Sequence, residues 1–202
     1  MRISITLFFA FLIVLNSCKK SAKVTDAVSY LRYIENKDNG LVKEYKNEEM
    51  GLQIKVQYKS PVYMAIKEFD TDNFQYDSMA VLAQEYDGAY HFGFKISSAV
   101  NGYDVIKAKL PPKEYLDRIT YLSTEVSKDF KLVLGLDTLP CSICHFERTF
   151  NISPHNEFIL VFPGRITSEE NAKLIYDDKI FGIGKLEFDF KRKHFKNIPD
   201  LI

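Results

Sequence analysis

The chain has 202 residues, a length that suits one domain or two small ones. It carries 27 basic and 27 acidic residues, so its formal net charge is zero, and no long block has one sign. Because a nucleic-acid-binding surface normally shows a basic excess, this balance excludes nucleic acid from the expected partners. The chain has 16 phenylalanines and 12 tyrosines but no tryptophan, and abundant aromatic residues favour a strand-rich fold.

The first feature along the chain is an apolar stretch that follows a single positive charge. Arg2 precedes a run from residue 3 to residue 15 that only Ser4 and Thr6 interrupt. One positive residue, a short apolar run and a small residue before a cleavage point are typical of an export signal. The run is short for a membrane-spanning helix, which takes about 20 residues. The sequence therefore predicts a signal peptide over residues 1–17.

Four residues close this stretch, in the order Leu15, Asn16, Ser17 and Cys18. An aliphatic residue, a variable one, a small one and then cysteine form a pattern that resembles the lipobox of bacterial lipoproteins. The resemblance implies that Cys18 is the lipidation site and the first residue of the mature chain, and that acyl chains such as palmitate bind it to a lipid bilayer. Each buried CH2 group contributes roughly 0.8 kcal/mol to such an anchor. Two alternatives stay open, an uncleaved N-terminal anchor helix and an ordinary signal followed by a chance cysteine.

The same resemblance implies a location in the cell envelope, where disulfides persist. Lys19 follows the cysteine, whereas aspartate there retains lipoproteins at the inner membrane of enteric bacteria and acidic residues mark surface-exported lipoproteins of Bacteroidota. We therefore expect an outer-membrane anchor with the protein facing the periplasm, where other envelope proteins are further partners. Residues 18–24 form the expected lipidated tether and residues 25–202 the globular domain, with a subdomain boundary near 111–112.

The first half of the globular segment predicts helices and strands in turn. Ser60 followed by Pro61 is a typical helix start, because the hydroxyl caps the helix and proline suits its first position. Between residues 52 and 59, apolar and polar residues alternate, as in a half-buried strand. The predicted elements are a helix from residue 27 that ends at Asn39-Gly40, strands at 41–45 and 52–59, helices at 61–69 and 78–86, and a strand at 90–97.

The second half is richer in predicted strands. Its predicted elements are a short helix at 115–122, strands at 130–134, 144–150 and 157–162, a short helix at 168–174 with Ser168, Glu169 and Glu170 in its first turn, and a final strand at 185–191. Runs of strands with interspersed short helices predict an α+β fold with a mainly antiparallel sheet. The strand-rich C-terminal third is compatible with a sandwich-like unit.

Two further cysteines stand close together, in the sequence Pro140-Cys141-Ser142-Ile143-Cys144-His145. C-x-x-C-H is the pattern of c-type haem attachment, in which Cys141 and Cys144 would form thioethers and His145 would bind the iron. Haem is the only cofactor that the sequence suggests. The strand-like surroundings speak against it, because c-type cytochromes carry this motif on a helix.

Two other interpretations of the cysteine pair remain. A thioredoxin-like thiol–disulfide oxidoreductase needs the motif at the start of a helix, whereas the residues after Cys144 look extended. The preferred interpretation is a pair of ordinary buried cysteines or a local disulfide in a turn. If both cysteines belonged to one regular strand, residues three apart would face opposite sides and their sulfurs could not meet.

The sequence contains no G-x-S-x-G, H-E-x-x-H or Walker loop, so it identifies no catalytic residue. Together with the lipobox, the stretches 39–44 and 145–150 resemble small lipoproteins of Bacteroidota, a resemblance that implies no particular activity. We therefore expect a membrane-tethered, non-enzymatic binding or assembly module. A haem-carrying electron-transfer lipoprotein and a thiol–disulfide oxidoreductase are the alternatives.

Overall fold

The computed structural model describes residues 23–201, apart from 25, 70–75, 99–103, 108, 148–154 and 165–169. The predicted lipidation site at Cys18 and the predicted signal over residues 1–17 lie outside the described residues. Within the described ranges, none of the helices is both long and apolar enough to cross a membrane.

Five α-helices and eleven strands build the described part of the chain, which confirms the predicted α+β class. The helices are α1 (Ala27–Glu35), α2 (Pro61–Glu68), α3 (Tyr76–Tyr86), α4 (Pro112–Thr124) and α5 (Arg192–Lys196). The strands are β1 (Lys23–Val24), β2 (Val42–Asn47), β3 (Leu52–Lys59), β4 (Ala89–Ser98), β5 (Phe130–Leu134), β6 (Asp137–Pro140), β7 (Ile143–Glu147), β8 (His155–Pro163), β9 (Ala172–Asp177), β10 (Lys185–Phe190) and β11 (Asp200–Leu201).

The strands form two antiparallel sheets and one short parallel pair. The large sheet has the order β2-β3-β4-β8-β7, and the small sheet has the order β10-β9-β5-β6. Strand β1 pairs in parallel with β11 near the end of the chain. The strands of the C-terminal third are thus divided between both sheets, and the chain passes from the small to the large sheet between β6 and β7.

The two sheets meet on aromatic side chains. Phe94 of β4 is fully buried, and its ring centroid lies 4.9 Å from the rings of Phe130 on β5 and of Tyr176 on β9. Phe158 of β8 lies 6.1 Å from the Phe94 ring within the large sheet. We call these four residues the aromatic centre. Such offset and edge-to-face pairs are the favoured geometries for aromatic rings.

The opposite face of the large sheet is partly covered by α2 and α3. The Tyr86 ring of α3 lies 5.4 Å from the His91 ring of β4. The α2 helix begins as predicted, since Pro61 occupies its first turn and the Ser60 hydroxyl accepts a hydrogen bond from the Tyr63 backbone N–H at 3.1 Å. This cap satisfies one of the N–H groups that a helix start leaves without a partner.

One predicted element is wrong. The expected helix over residues 168–174 overlaps strand β9, and residues 165–169 lie outside the described ranges. Ala172, Leu174 and Tyr176 alternate with more exposed residues and are buried against the rest of the core. The acidic residues near 169 suit a helix start, but the two-residue period from 172 onward places one face against β5, and this burial determines the structure.

Candidate functional site

The predicted cysteine motif lies where the chain changes sheets. Strand β6 ends at Pro140 and strand β7 begins at Ile143, so Cys141 precedes the strand and Cys144 lies inside it. The expectation that a regular strand would separate the two sulfurs therefore does not apply. The predicted strand over 144–150 is present up to Glu147, beyond which residues 148–154 are not described.

Ser142 holds the turn between the two strands against β8. Its backbone N–H and its hydroxyl both donate to the Val161 carbonyl, each at 2.9 Å. From Ile143 onward the chain pairs with β8 in antiparallel register, with Ile143 opposite Val161. The turn is thus anchored at one residue while Cys141 is left outside the ladder.

Both cysteines are free thiols, half-buried and packed against the core. The Cys144 thiol hydrogen bonds to the Cys141 sulfur, and the Cys141 thiol donates to the Ile143 carbonyl at 3.0 Å. The hydrogen bond from Cys144 lowers the pKa of Cys141, aided by backbone hydrogen bonds with Val161 and Ile143. The same hydrogen bond, together with burial, raises the pKa of Cys144. We call Cys141, Ser142 and Cys144 the thiol corner.

A buried carboxylate lies near the second thiol. Asp129 ends the short 3-10 turn before β5, is 6% exposed, and accepts a hydrogen bond from the Tyr121 hydroxyl at 2.7 Å. Burial raises the pKa of Asp129, and the charge of Asp129 adds to the raised pKa of Cys144. The pKa of Cys141 is therefore the lower of the two thiol pKa values.

The arrangement does not fit c-type haem. Cys144 points to the inner face of the large sheet, opposite Leu160, whereas His145 is the next residue of a strand and points to the outer face, opposite Ile159. Haem attachment needs both cysteines and the histidine on the same side. In the part of the chain that the structure describes, no group of three or more His, Cys, Asp or Glu side chains could hold a metal ion.

A second candidate site is an open cleft of about 410 Å3 near the β1–β11 pair. Its walls come from α1, the start of α2, α5 and the C-terminal residues. The lining residues are Tyr30, Tyr58, Ser60, Pro61, Val62, Phe195, Ile198, Pro199, Asp200 and Leu201. Small-molecule sites have this size and this mixture of apolar walls with a few polar groups.

The polar groups of the cleft are held in place. The hydroxyls of Tyr30 and Ser60 lie 2.8 Å apart and share a hydrogen bond. Burial raises the pKa of Tyr30 to about 12, so its hydroxyl stays neutral in the physiological range. The Phe195 ring meets Tyr58 edge to face at 5.1 Å. The cleft therefore offers fixed aromatic walls, neutral hydroxyls and the Asp200 carboxyl group.

No local sequence pattern could have identified the cleft. Its residues come from β3, α1, α2, α5 and the end of the chain, which only the tertiary fold brings together. The one usable signal was Ser60-Pro61, which marked a helix start and not a site. The cysteine pair, by contrast, was visible in the sequence, but the mutual position of the two sulfurs depends on where β7 begins.

The outer face of the large sheet carries an ion-pair cluster. Lys59 Nζ lies 2.9 Å from Glu157 Oε1, and Lys95 Nζ lies 3.4 Å from Glu157 Oε2. The side chains of Lys59 and Glu157 cross over Gly93, where an added Cβ would lie 2.7 Å from Lys59 Cε and 2.9 Å from Glu157 Oε1. Burial alone would raise the pKa of Glu157, but the two lysines outweigh it and lower that pKa.

Comparison with known proteins places the chain in no family. No family model matches it, and no curated protein matches it. A crystal structure of a novel protein of unknown function from Burkholderia pseudomallei K96243 is similar, with a TM-score of 0.41 and 11% sequence identity over 87% of this chain and 90% of that one.

Proposed function

We propose that the protein is a lipid-anchored cell-envelope protein whose folded body is a binding module for a membrane amphiphile. The cleft beside the β1–β11 pair is the observation that carries this proposal. Its apolar and aromatic walls suit an acyl chain, and its neutral hydroxyls and the Asp200 carboxyl suit the polar end of the same molecule. The periplasmic face of the outer membrane is the proposed location.

The position of the cleft along the chain supports an amphiphile over a water-soluble ligand. Asp200 and Leu201 line the cleft and also form β11, which pairs with Lys23 and Val24 of β1. Cys18 precedes Lys23 by five residues, and an extended chain spans at most about 3.6 Å per residue. A lipidated Cys18 would therefore keep β1 within about 18 Å of the bilayer surface, so the cleft would lie close to membrane lipids.

The anchor is tested by lipid labelling in a bacterial host that processes lipoproteins. Cells that express the full-length chain are grown with labelled palmitate, and membrane and soluble fractions are compared. We expect label and membrane location in the wild type, loss of both in Cys18→Ser, and no change in the matched control Cys141→Ser. Absence of label on the wild-type chain would refute the lipid anchor.

The cleft is tested by titrating the purified protein with a fluorescent phosphatidylethanolamine, whose acyl chains suit the apolar walls and whose ammonium group suits the Asp200 carboxyl group. Val62 lines the cleft at the second position of α2, and Val28 is 52% exposed at the second position of α1, outside the cleft. We expect Val62→Asp to weaken probe binding by at least about tenfold, because it places a charge against the apolar wall. Val28→Asp makes the same change at a helix start and should bind like the wild type.

Two results would count against the binding module. The first is absence of saturable probe binding by the wild-type protein. The second is a Val62 variant that binds the probe as tightly as the Val28 variant, which would locate the probe away from the cleft. Circular dichroism of each variant separates loss of binding from loss of fold.

A further inference from the structure

The thiol corner brings a nucleophilic and a resolving thiol together in the form that reversible disulfide exchange needs. The Cys144 thiol already contacts the Cys141 sulfur, and Ser142 holds the intervening turn to β8 by two hydrogen bonds. A disulfide between them would close a short ring at the start of β7. Because both side chains are half-buried and not enclosed, a partner sulfur can approach them.

The two thiols are also chemically distinct. The pKa of Cys141 is lowered by the hydrogen bond from Cys144, while that hydrogen bond, burial and the charge of Asp129 raise the pKa of Cys144. A thiolate is the species that attacks a disulfide, so Cys141 supplies the attacking sulfur. Cys144 keeps its proton until a mixed disulfide on Cys141 removes the negative charge beside it.

We propose that Cys141 and Cys144 form a reversible dithiol–disulfide site that exchanges with disulfides of small thiols or of thiol–disulfide exchange proteins. This inference is independent of the proposed anchor and of the cleft. It differs from a thioredoxin-like site, because the pair lies in a turn between two strands that belong to different sheets, and not at the start of a helix.

The exchange reaction takes place in two steps. In the first, the Cys141 thiolate attacks one sulfur of the partner disulfide, which breaks the partner S–S bond, forms a mixed disulfide and releases one partner thiolate. In the second, Cys144 loses its proton and attacks the Cys141 sulfur, which forms the Cys141–Cys144 bond and expels the second partner thiolate. Two electrons pass to the partner disulfide, and the two cysteine protons end on the two released thiols.

The site also has a structural consequence. Strand β6 is an edge strand of the small sheet, and β7 is an edge strand of the large sheet. Oxidation would therefore tie together the residues through which the chain passes between the two sheets. Reduction would leave this turn held by hydrogen bonds alone, those from Ser142 to Val161 and those of the two thiols.

The test is a redox titration of the full-length protein with mixtures of oxidised and reduced glutathione. After each equilibration, remaining thiols are blocked with iodoacetamide and the protein is digested with trypsin. Residues 132–148 then form one peptide that contains both cysteines and excludes Cys18. We expect this peptide to lose two hydrogen atoms as the mixture becomes oxidising and to recover both alkylation sites when it becomes reducing.

Single-cysteine variants assign the two roles. Cys144→Ala should accumulate a glutathione mixed disulfide on Cys141, because the resolving thiol is missing. Cys141→Ala is the matched control and should accumulate less of the mixed disulfide, because the attacking thiol is missing. In the reduced wild-type protein, where the hydrogen bond between the two thiols is present, a limiting amount of iodoacetamide should alkylate Cys141 at least about tenfold faster than Cys144 near neutral pH. The wild-type titration needs neither variant to fold.

Two outcomes would overturn the proposal. One is a wild-type peptide that keeps both thiols throughout the oxidising range in the native protein but forms the disulfide once the protein is unfolded in urea. The other is equal alkylation of Cys141 and Cys144 in the reduced wild-type protein, which would remove the distinction between an attacking and a resolving thiol.

Discussion

The aromatic centre and the thiol corner both join the two sheets, and they do so in different ways. At the centre, Phe94 and Phe130 meet across the two sheets with their side chains fully removed from water. At the corner, the backbone itself passes between the sheets, and Cys141 and Cys144 are only half-buried. The buried rings are therefore inaccessible to reagents and the two thiols are accessible, and we expect the aromatic centre to contribute more to stability than the thiol corner.

The largest expected effect comes from the aromatic centre. Phe94→Ala should lower the free energy of unfolding by about 4 kcal/mol, because it removes a fully buried ring and leaves a cavity between the sheets. Urea unfolding of the variant and the wild type measures this loss.

A phenylalanine next to the thiol corner provides the comparison. Phe146 of β7 stacks on Phe158 at 4.7 Å but is half-buried at the edge of the large sheet. We expect Phe146→Ala to cost about 2 kcal/mol, since less apolar area leaves water at this position in the folded state. Equal losses at Phe94 and Phe146 would contradict the difference between the two regions.

The next effect concerns β8, which runs from the centre to the corner and carries Glu157 on its outer face. Glu157→Gln should cost about 2 kcal/mol, because it leaves Lys59, whose side chain is 12% exposed, without its charged partner. Glu44→Gln, at an exposed position of β2, should change stability by less than about 0.5 kcal/mol.

The same variant predicts a pH dependence. Since Lys59 and Lys95 lower the pKa of Glu157 in the folded state, its contribution is complete above the unfolded carboxyl pKa and is lost as the pH falls through the lowered folded value. The difference in stability between the wild type and Glu157→Gln should therefore shrink below about pH 4. If the stability difference stayed constant from about pH 4 down to about pH 3, the ion pair would not be the source of that difference.

The thiol corner should give a smaller effect. A disulfide that closes a loop of this length constrains the unfolded chain by about 2 kcal/mol at most, and strain in a short ring reduces the gain. We expect the oxidised protein to unfold at a slightly higher urea concentration than the reduced protein. Cys141→Ser should show no dependence on reductant, and the same dependence in this variant would assign the effect to another group.

The comparison also shows what the sequence could predict. Strand β3 was predicted correctly because its alternation of apolar and polar residues matches one buried and one solvent-facing side over its whole length. At 168–174 the local signals of a helix start conflicted with the period of the following residues, and burial of Leu174 and Tyr176 against the small sheet decided in favour of β9. A strand can thus be predicted from the sequence wherever its two-residue hydrophobic period is long enough to outweigh local helix-capping signals.

The candidate sites are not marked by the hydrophobic periodicity that identifies helices and strands. The cysteine pair was recognised as a motif, but whether Cys141 and Cys144 meet depends on a strand that begins two residues after Cys141, and such boundaries are the least predictable part of a sequence pattern. The cleft depends on α1, α2 and the chain end coming together, which is a property of the tertiary fold alone. Sequence reasoning therefore reached the elements and the motif but not their juxtaposition.

The smallest effect is expected at the Ser60 hydroxyl, which lines the cleft and also caps α2. Ser60 is 4% exposed, accepts a hydrogen bond from the Tyr63 N–H and shares one with the Tyr30 hydroxyl. Ser60→Ala should lower the free energy of unfolding by about 1 kcal/mol, because the start of α2 loses its cap. Thr120→Ala, which removes an exposed hydroxyl bonded within α4, should stay within about 0.5 kcal/mol of the wild type.

Both variants keep the apolar walls of the cleft, so binding of the fluorescent lipid probe separates the two roles of Ser60. If the hydroxyl only caps α2, Ser60→Ala should lose stability while its probe affinity stays within about threefold of the wild type, a difference below 1 kcal/mol. A larger loss of affinity at unchanged stability would make Ser60 a ligand contact. The cleft would then resemble the thiol corner, because in both places the polar groups that connect secondary-structure elements would also be accessible to a binding partner. An unchanged stability with unchanged affinity would contradict the role of Ser60 as the cap.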